Sequence, residues 1–160
     1  MKVIIVGLPR SGTSFLTGLV SKMGFDPGPD DSLRPANEYN PDGYFENLEL
    51  MDIDHKLLKK FGGDVTNPQV LPKNWLDQCE EEKKKIKEIV ARNGVEIYKG
   101  NMLIVLADLY CELFPDAKWI FISREDDKVM QSMMKGDGVN VRTKEVVQGL
   151  VTRRKELWLN

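Results

Sequence analysis

Residues 3 to 24 spell a buried strand, a glycine-bounded loop and a helix in direct succession. Val3-Ile4-Ile5-Val6-Gly7 is a short β-branched run without a polar residue, the pattern of a strand covered on both faces. From Thr13 to Met23 the apolar residues Phe15, Leu16, Leu19, Val20 and Met23 recur at helical spacing, which predicts an amphipathic helix with Gly24 as its stop. The opening run is too short for a secretory leader, because Pro9-Arg10-Ser11-Gly12 interrupts it where an apolar region would continue.

The loop itself, Gly7-Leu8-Pro9-Arg10-Ser11-Gly12-Thr13-Ser14, has the spacing of a nucleotide phosphate loop, Gly-x4-Gly and two further positions. Thr13 stands where such a loop carries lysine, while Ser14 keeps the hydroxyl. The physical basis for gripping an anion survives that change. Successive backbone N–H groups form a concave nest, and the following helix points its positive end at the ligand. Arg10 adds planar donors suited to a phosphate or sulfate oxygen. A Mg²⁺-dependent phosphate loop would also want an Asp at the end of another strand. The two further strands end instead in Lys99-Gly100-Asn101 and Ser123-Arg124, so an anion held without metal is expected.

Those strands are predicted over 95–99 and 118–123, the latter read as buried on both faces. Helices are predicted over 48–61, 76–93, 102–114, 126–134 and 143–159. Residues 26–41 form a long Pro-, Asp- and Gly-rich loop of the kind that carries function, and 62–74 form another. Alternation of strands and helices makes the class α/β with a parallel sheet, in one domain over 1–160. The run Glu80-Glu81-Glu82-Lys83-Lys84-Lys85 reads as a solvated, salt-bridged helix face. A net charge of −2 gives no support to a nucleic-acid partner, and nothing approaches the ~20 apolar residues of a membrane span. Two cysteines, Cys79 and Cys111, fit reduced thiols in a cytoplasmic protein.

Arg124 lies at the carboxyl end of a strand, where ligands collect in open α/β sheets, and Ser132 follows eight residues on, in the next helix. The chain here resembles the sulfotransferase superfamily. Pro9-Arg10-Ser11-Gly12-Thr13-Ser14 is similar to the family's 5′-phosphosulfate loop, and Trp119-Ile120-Phe121-Ile122-Ser123-Arg124 with Ser132 to its 3′-phosphate motif. Phe114-Pro115-Asp116-Ala117-Lys118 looks like the family's run-in to that strand, and Asn40-Pro41-Asp42-Gly43-Tyr44-Phe45-Glu46-Asn47 is similar to a stretch in many bacterial members. The resemblance covers roughly residues 2–135. It implies a P-loop-like three-layer α/β/α fold with a short parallel sheet. It also implies a site for the donor PAPS and its product PAP. Arg10, Ser11, Gly12, Thr13 and Ser14 would take the 5′-phosphosulfate, with Arg10 neutralising charge on the leaving side, and Arg124 and Ser132 the 3′-phosphate.

Transfer to a hydroxyl or amine also needs a group that accepts a proton. Glu46 is the first candidate, Asp31 the second and Glu38 the third; His55, the sole histidine, falls inside a predicted helix. Arg34 could hold an acidic or sulfated acceptor, or be a solvated loop arginine. The acceptor, a small molecule, glycan or peptide, would be chosen by loops 26–47 and 62–75. Family members are longer and carry a late nucleotide-covering loop, whereas this chain ends at Leu157-Trp158-Leu159-Asn160. A second subunit completing the site, a nucleotide-binding module without transfer, and a small kinase are the alternatives that this difference and the loop leave open.

Overall fold

The computed structural model describes residues 1–64, 69–100, 102–135 and 152. Its centre is a three-stranded parallel sheet in the order β2-β1-β3, with β1 at Val3–Gly7, β2 at Ile97–Lys99 and β3 at Lys118–Ile122. Parallel strands cannot be joined by hairpins, so every connection carries helix. The α-helices over residues 1–135, as described, are α1 (Thr13–Lys22), α2 (Leu48–Lys60), α3 (Glu80–Arg92), α4 (Ala107–Leu113) and α5 (Asp126–Lys135).

Alternation along β1 divides the core into two layers. Ile4 and Val6 join the larger apolar cluster, built with residues of α2, α3, α4 and α5, among them Leu50, Leu57, Ile86, Leu109 and Val129. Val3 and Ile5 join a smaller one with Val20 of α1 and Ile97 of β2. The result is the expected three-layer arrangement: α1, sheet, and the remaining helices. Register then sets the site. Ile5 pairs with Lys99 and Gly7 with Ile122, so the carboxyl ends of β2 and β3 flank the loop that follows β1.

Several elements differ from the sequence reading. β3 is partly exposed rather than buried on both faces, because among the described residues no strand pairs its outer edge. The amphipathic stripe of α1 is only partly used: Leu16 and Val20 meet the sheet, while Phe15, Leu19 and Met23 are 78%, 48% and 70% exposed. Three strands offer a narrow floor, and the small side chains of Thr13 and Thr17 are what α1 buries beside Val20. The helix expected over 76–93 is broken at Cys79 into a 3₁₀ turn (Leu76–Gln78) and α3, with the Cys79 thiol donating to the Trp75 carbonyl. The apolar stretch from Met102 is turn until α4 begins at Ala107. The long loop contains a 3₁₀ turn at Asp30–Ser32 and a bridge between Leu33 and Asn47. The helix expected over 143–159 lies outside the described residues, Thr152 apart. Among the described residues no helix is long and apolar enough to cross a membrane, and both cysteines are free.

Candidate active site

Gly7 closes β1 where no larger residue fits: a Cβ there would lie 2.8 Å from both the Ile122 carbonyl and the Ser11 hydroxyl. The turn is then pinned at Leu8, whose carbonyl accepts from the Ser11 amide at 3.1 Å and the Ser11 hydroxyl at 2.5 Å. Ser11 is thereby turned inward and buried, and it is the one residue of the 10–14 segment that does not line the cavity above the loop. Arg10 takes φ +69° and Gly12 φ +98°, both in the left-handed region, the alternation that turns successive amides to one side. Among the described residues no side chain caps the amino end of α1, where Gly12, Thr13 and Ser14 line the cavity.

The cavity holds about 240 Å³ and is lined by Arg10, Gly12, Thr13 and Ser14 of the loop, by Arg124 and Ser132, and by residues that the motifs did not supply. Arg124 Nη1 donates to the Arg10 carbonyl at 2.9 Å, and Arg10 Nε donates to Ser132 Oγ at 3.0 Å. The structure therefore brings both expected anion-binding segments together. It also adds Lys99, Arg34, Tyr39, Asn40 and Tyr44 to the wall.

Of the proton-acceptor candidates, Glu46 is in that wall. It sits two residues before α2, whose first turn is capped by Asn47 accepting from the Leu50 amide at 3.2 Å. Its Oε1 receives Lys99 Nζ at 2.6 Å and its Oε2 receives Arg34 Nη1 at 3.1 Å. Arg34 also lies over the Tyr44 ring, 3.8 Å from its centre. Lys99 in turn reaches Ser14 Oγ at 3.2 Å, which links the carboxylate to the anion loop. Burial pushes the Lys99 ammonium below the usual lysine range, and the neighbouring Glu46 charge opposes that shift. Asp31 and Glu38 are exposed, His55 is half-buried in α2, and none of the three lines the cavity. Lys99 was visible in the sequence as a basic strand end but not as a site residue, since its partner lies 53 positions away.

Beneath the site, Asp54 of α2 is fully enclosed and accepts from Tyr98 of β2 at 2.7 Å and Tyr110 of α4 at 2.8 Å. Burial raises its carboxyl to about 7, against the lowering effect of those two hydrogen bonds. A Cβ at Gly100 would come within 2.9 Å of the Tyr98 hydroxyl, which explains a glycine directly after Lys99.

The family model described as "Sulfotransferase family" matches residues 2–155. No curated protein and no solved structure matches the chain.

Proposed function

The chain belongs to the sulfotransferase family, and from that premise we propose that it moves a sulfuryl group from PAPS to a hydroxyl or amine acceptor. The observation that carries this reading is the meeting of Arg10 and Ser132, 122 positions apart, in one cavity with Thr13, Ser14 and Arg124. The residues present fit such a donor. Among the described residues, Arg10, Arg34, Lys99 and Arg124 line the cavity against one carboxylate, Glu46, a surplus of positive charge suited to a polyanion. PAPS, when bound, supplies the activated sulfuryl group.

The protein's contribution is charge and orientation. The uncapped amides of α1, with Arg10 and the Ser14 hydroxyl, would hold the phosphosulfate end, and Arg124 and Ser132 the 3′-phosphate. Lys99 places a further cation beside Ser14. A sulfuryl group in transfer carries less charge than a phosphoryl group, so arginines, a lysine and backbone dipoles can support it. Glu46, the candidate carboxylate in the cavity wall, is assigned to receive the acceptor's proton, held in place by Lys99 and Arg34. The segment bearing Arg34, Tyr39, Asn40 and Tyr44 completes the wall and is where an acceptor would be selected.

A thermal-shift titration with PAP, run beside ATP with Mg²⁺, tests the reading. A ligand at 100 times its Kd stabilises by ~2.7 kcal/mol, which raises the Tm of a chain of this size by several degrees. A rise with PAP and none with ATP–Mg²⁺ is expected. The reverse result would replace the donor with a nucleoside triphosphate, and no rise with either would leave a fold without its nucleotide site.

A further inference from the structure

Phe45 is a bulky residue at φ +55°, in the left-handed region that aromatic side chains rarely enter. Such a conformation persists only where the surrounding structure imposes it. Here it turns the chain between two residues of the cavity wall, Tyr44 and Glu46. An extended chain sends its carbonyls sideways and its side chains above and below. With the turn at Phe45, the Tyr44 carbonyl and the Glu46 carboxylate both accept from the Lys99 ammonium, at 3.4 Å and 2.6 Å. The Phe45 ring leaves this cluster and lies on Gly18 of α1, where an added Cβ would come within 3.0 Å of two ring atoms. Glycine inside a helix is unfavourable too, and here its missing side chain makes the seat for the ring. Gly18 lies one helical turn beyond Ser14, so the two share a face of α1, and Ser14 accepts from the same ammonium at 3.2 Å.

We infer that Phe45 and Gly18 are positioning residues for Glu46. The ring seated on the glycine fixes the segment that carries the proton acceptor to the helix that follows the anion loop, and so sets where the carboxylate stands relative to a bound donor. The inference rests on the transfer reading, with Glu46 as proton acceptor. Other bonds anchor the segment on both sides of Phe45. The Tyr44 hydroxyl donates to Asn37 Oδ1 at 2.9 Å, and the Arg34 amide donates to the Glu46 carbonyl at 2.8 Å. Those bonds hold the loop between α1 and α2 to itself, whereas the ring on Gly18 ties that loop to α1.

The test uses the full chain and PAPS, with water as the acceptor. Water attacks the sulfuryl sulfur, the bond from sulfur to the phosphate oxygen breaks, one water proton passes to Glu46, and PAP and sulfate leave. Gly18→Ala, which displaces the ring by a few tenths of an ångström, should lower kcat for PAP release about tenfold. Its Tm should stay at or above the wild-type value, because alanine is the better helix former. Adding Phe45→Leu, which lacks the two ring atoms nearest Gly18, should recover most of the lost turnover. Phe45→Gly, which keeps the left-handed backbone and removes the ring, should lower kcat about 10²-fold, with PAP binding by calorimetry within about twofold of wild type. Unchanged kcat in Phe45→Gly overturns the inference, as do matched falls of kcat and Tm in Gly18→Ala without recovery in the double variant. A wild type that releases no PAP would instead overturn the transfer reading, and full turnover in Glu46→Gln would overturn the choice of proton acceptor. Amide hydrogen exchange of the ligand-free protein decides the positioning in either case. The Arg34 amide, bonded to the Glu46 carbonyl, should exchange faster in Phe45→Gly with the amides of β1 unchanged, and equal exchange at Arg34 overturns the positioning role.

Discussion

Glu46 and Lys99 are 1% and 3% exposed and bonded to each other, an arrangement that stability alone does not favour. A buried ion pair roughly breaks even with apolar residues of the same shape, but removing one partner strands a charge at a cost of about 3–5 kcal/mol. The pair is better understood as part of the site, where it sets a carboxylate and an ammonium beside Ser14. If Glu46 receives the acceptor's proton, Glu46→Gln should lower PAPS turnover, measured as PAP release, by about 10²-fold or more while PAP still binds. Asp31→Asn, altering an exposed residue outside the cavity, should leave turnover unchanged. Retained turnover in Glu46→Gln would show the carboxylate to be an anchor for Lys99 and Arg34 and not the proton acceptor.

At the scale of elements, α1 shows how a periodic pattern can be right about the helix and wrong about its face. Its core contact is Val20 with Leu16, Thr13 and Thr17, whereas Leu19 and Met23 lie outside. Replacing both Leu19 and Met23 with lysine should therefore change stability by no more than about 0.5 kcal/mol in urea denaturation. Val20→Ala, in contrast, should cost about 2 kcal/mol. The junction of β1 with the loop is tighter still. The Cβ that Gly7→Ala adds meets the backbone carbonyl of Ile122, which cannot move without unzipping β1 from β3. That variant should lose the PAP-induced rise in Tm even where it folds.

For the molecule as a whole, Asp54 joins α2 to β2 and α4 through Tyr98 and Tyr110, and it makes stability depend on pH. Its folded-state value of about 7 lies above the ordinary 3.8. Between those values the folded chain keeps a proton that the unfolded chain releases, so raising the pH favours unfolding. The contribution is fully present below about 4, declines through the window up to about 7, and is absent above it, a difference on the order of 4 kcal/mol. Urea midpoints of the wild type measured across that window should fall with pH relative to Asp54→Asn, whose amide does not titrate. Parallel curves for the two proteins would place the titrating group elsewhere.

The order of elements, the parallel sheet and the anion loop were legible because each rests on local chemistry. A β-branched run, a glycine where the chain must pass against a neighbouring strand, and a 3.6-residue period all act within a few residues. The Arg124–Ser132 pair was legible as a spacing, and β3 was legible as a strand, though not its exposure, which depends on what pairs with its outer edge. Lys99 as a wall of the cavity, the clamp of Arg34 and Lys99 on Glu46, the grip of α5 on Arg10 and the Asp54 junction were not legible. Each joins groups 12 to 122 positions apart. The sequence by itself determined the strand, loop and helix that can hold an anion. Only the tertiary structure, through the register of β2 and β3 on β1, decided which distant charges stand around it, because a through-space contact leaves no periodic trace along the chain.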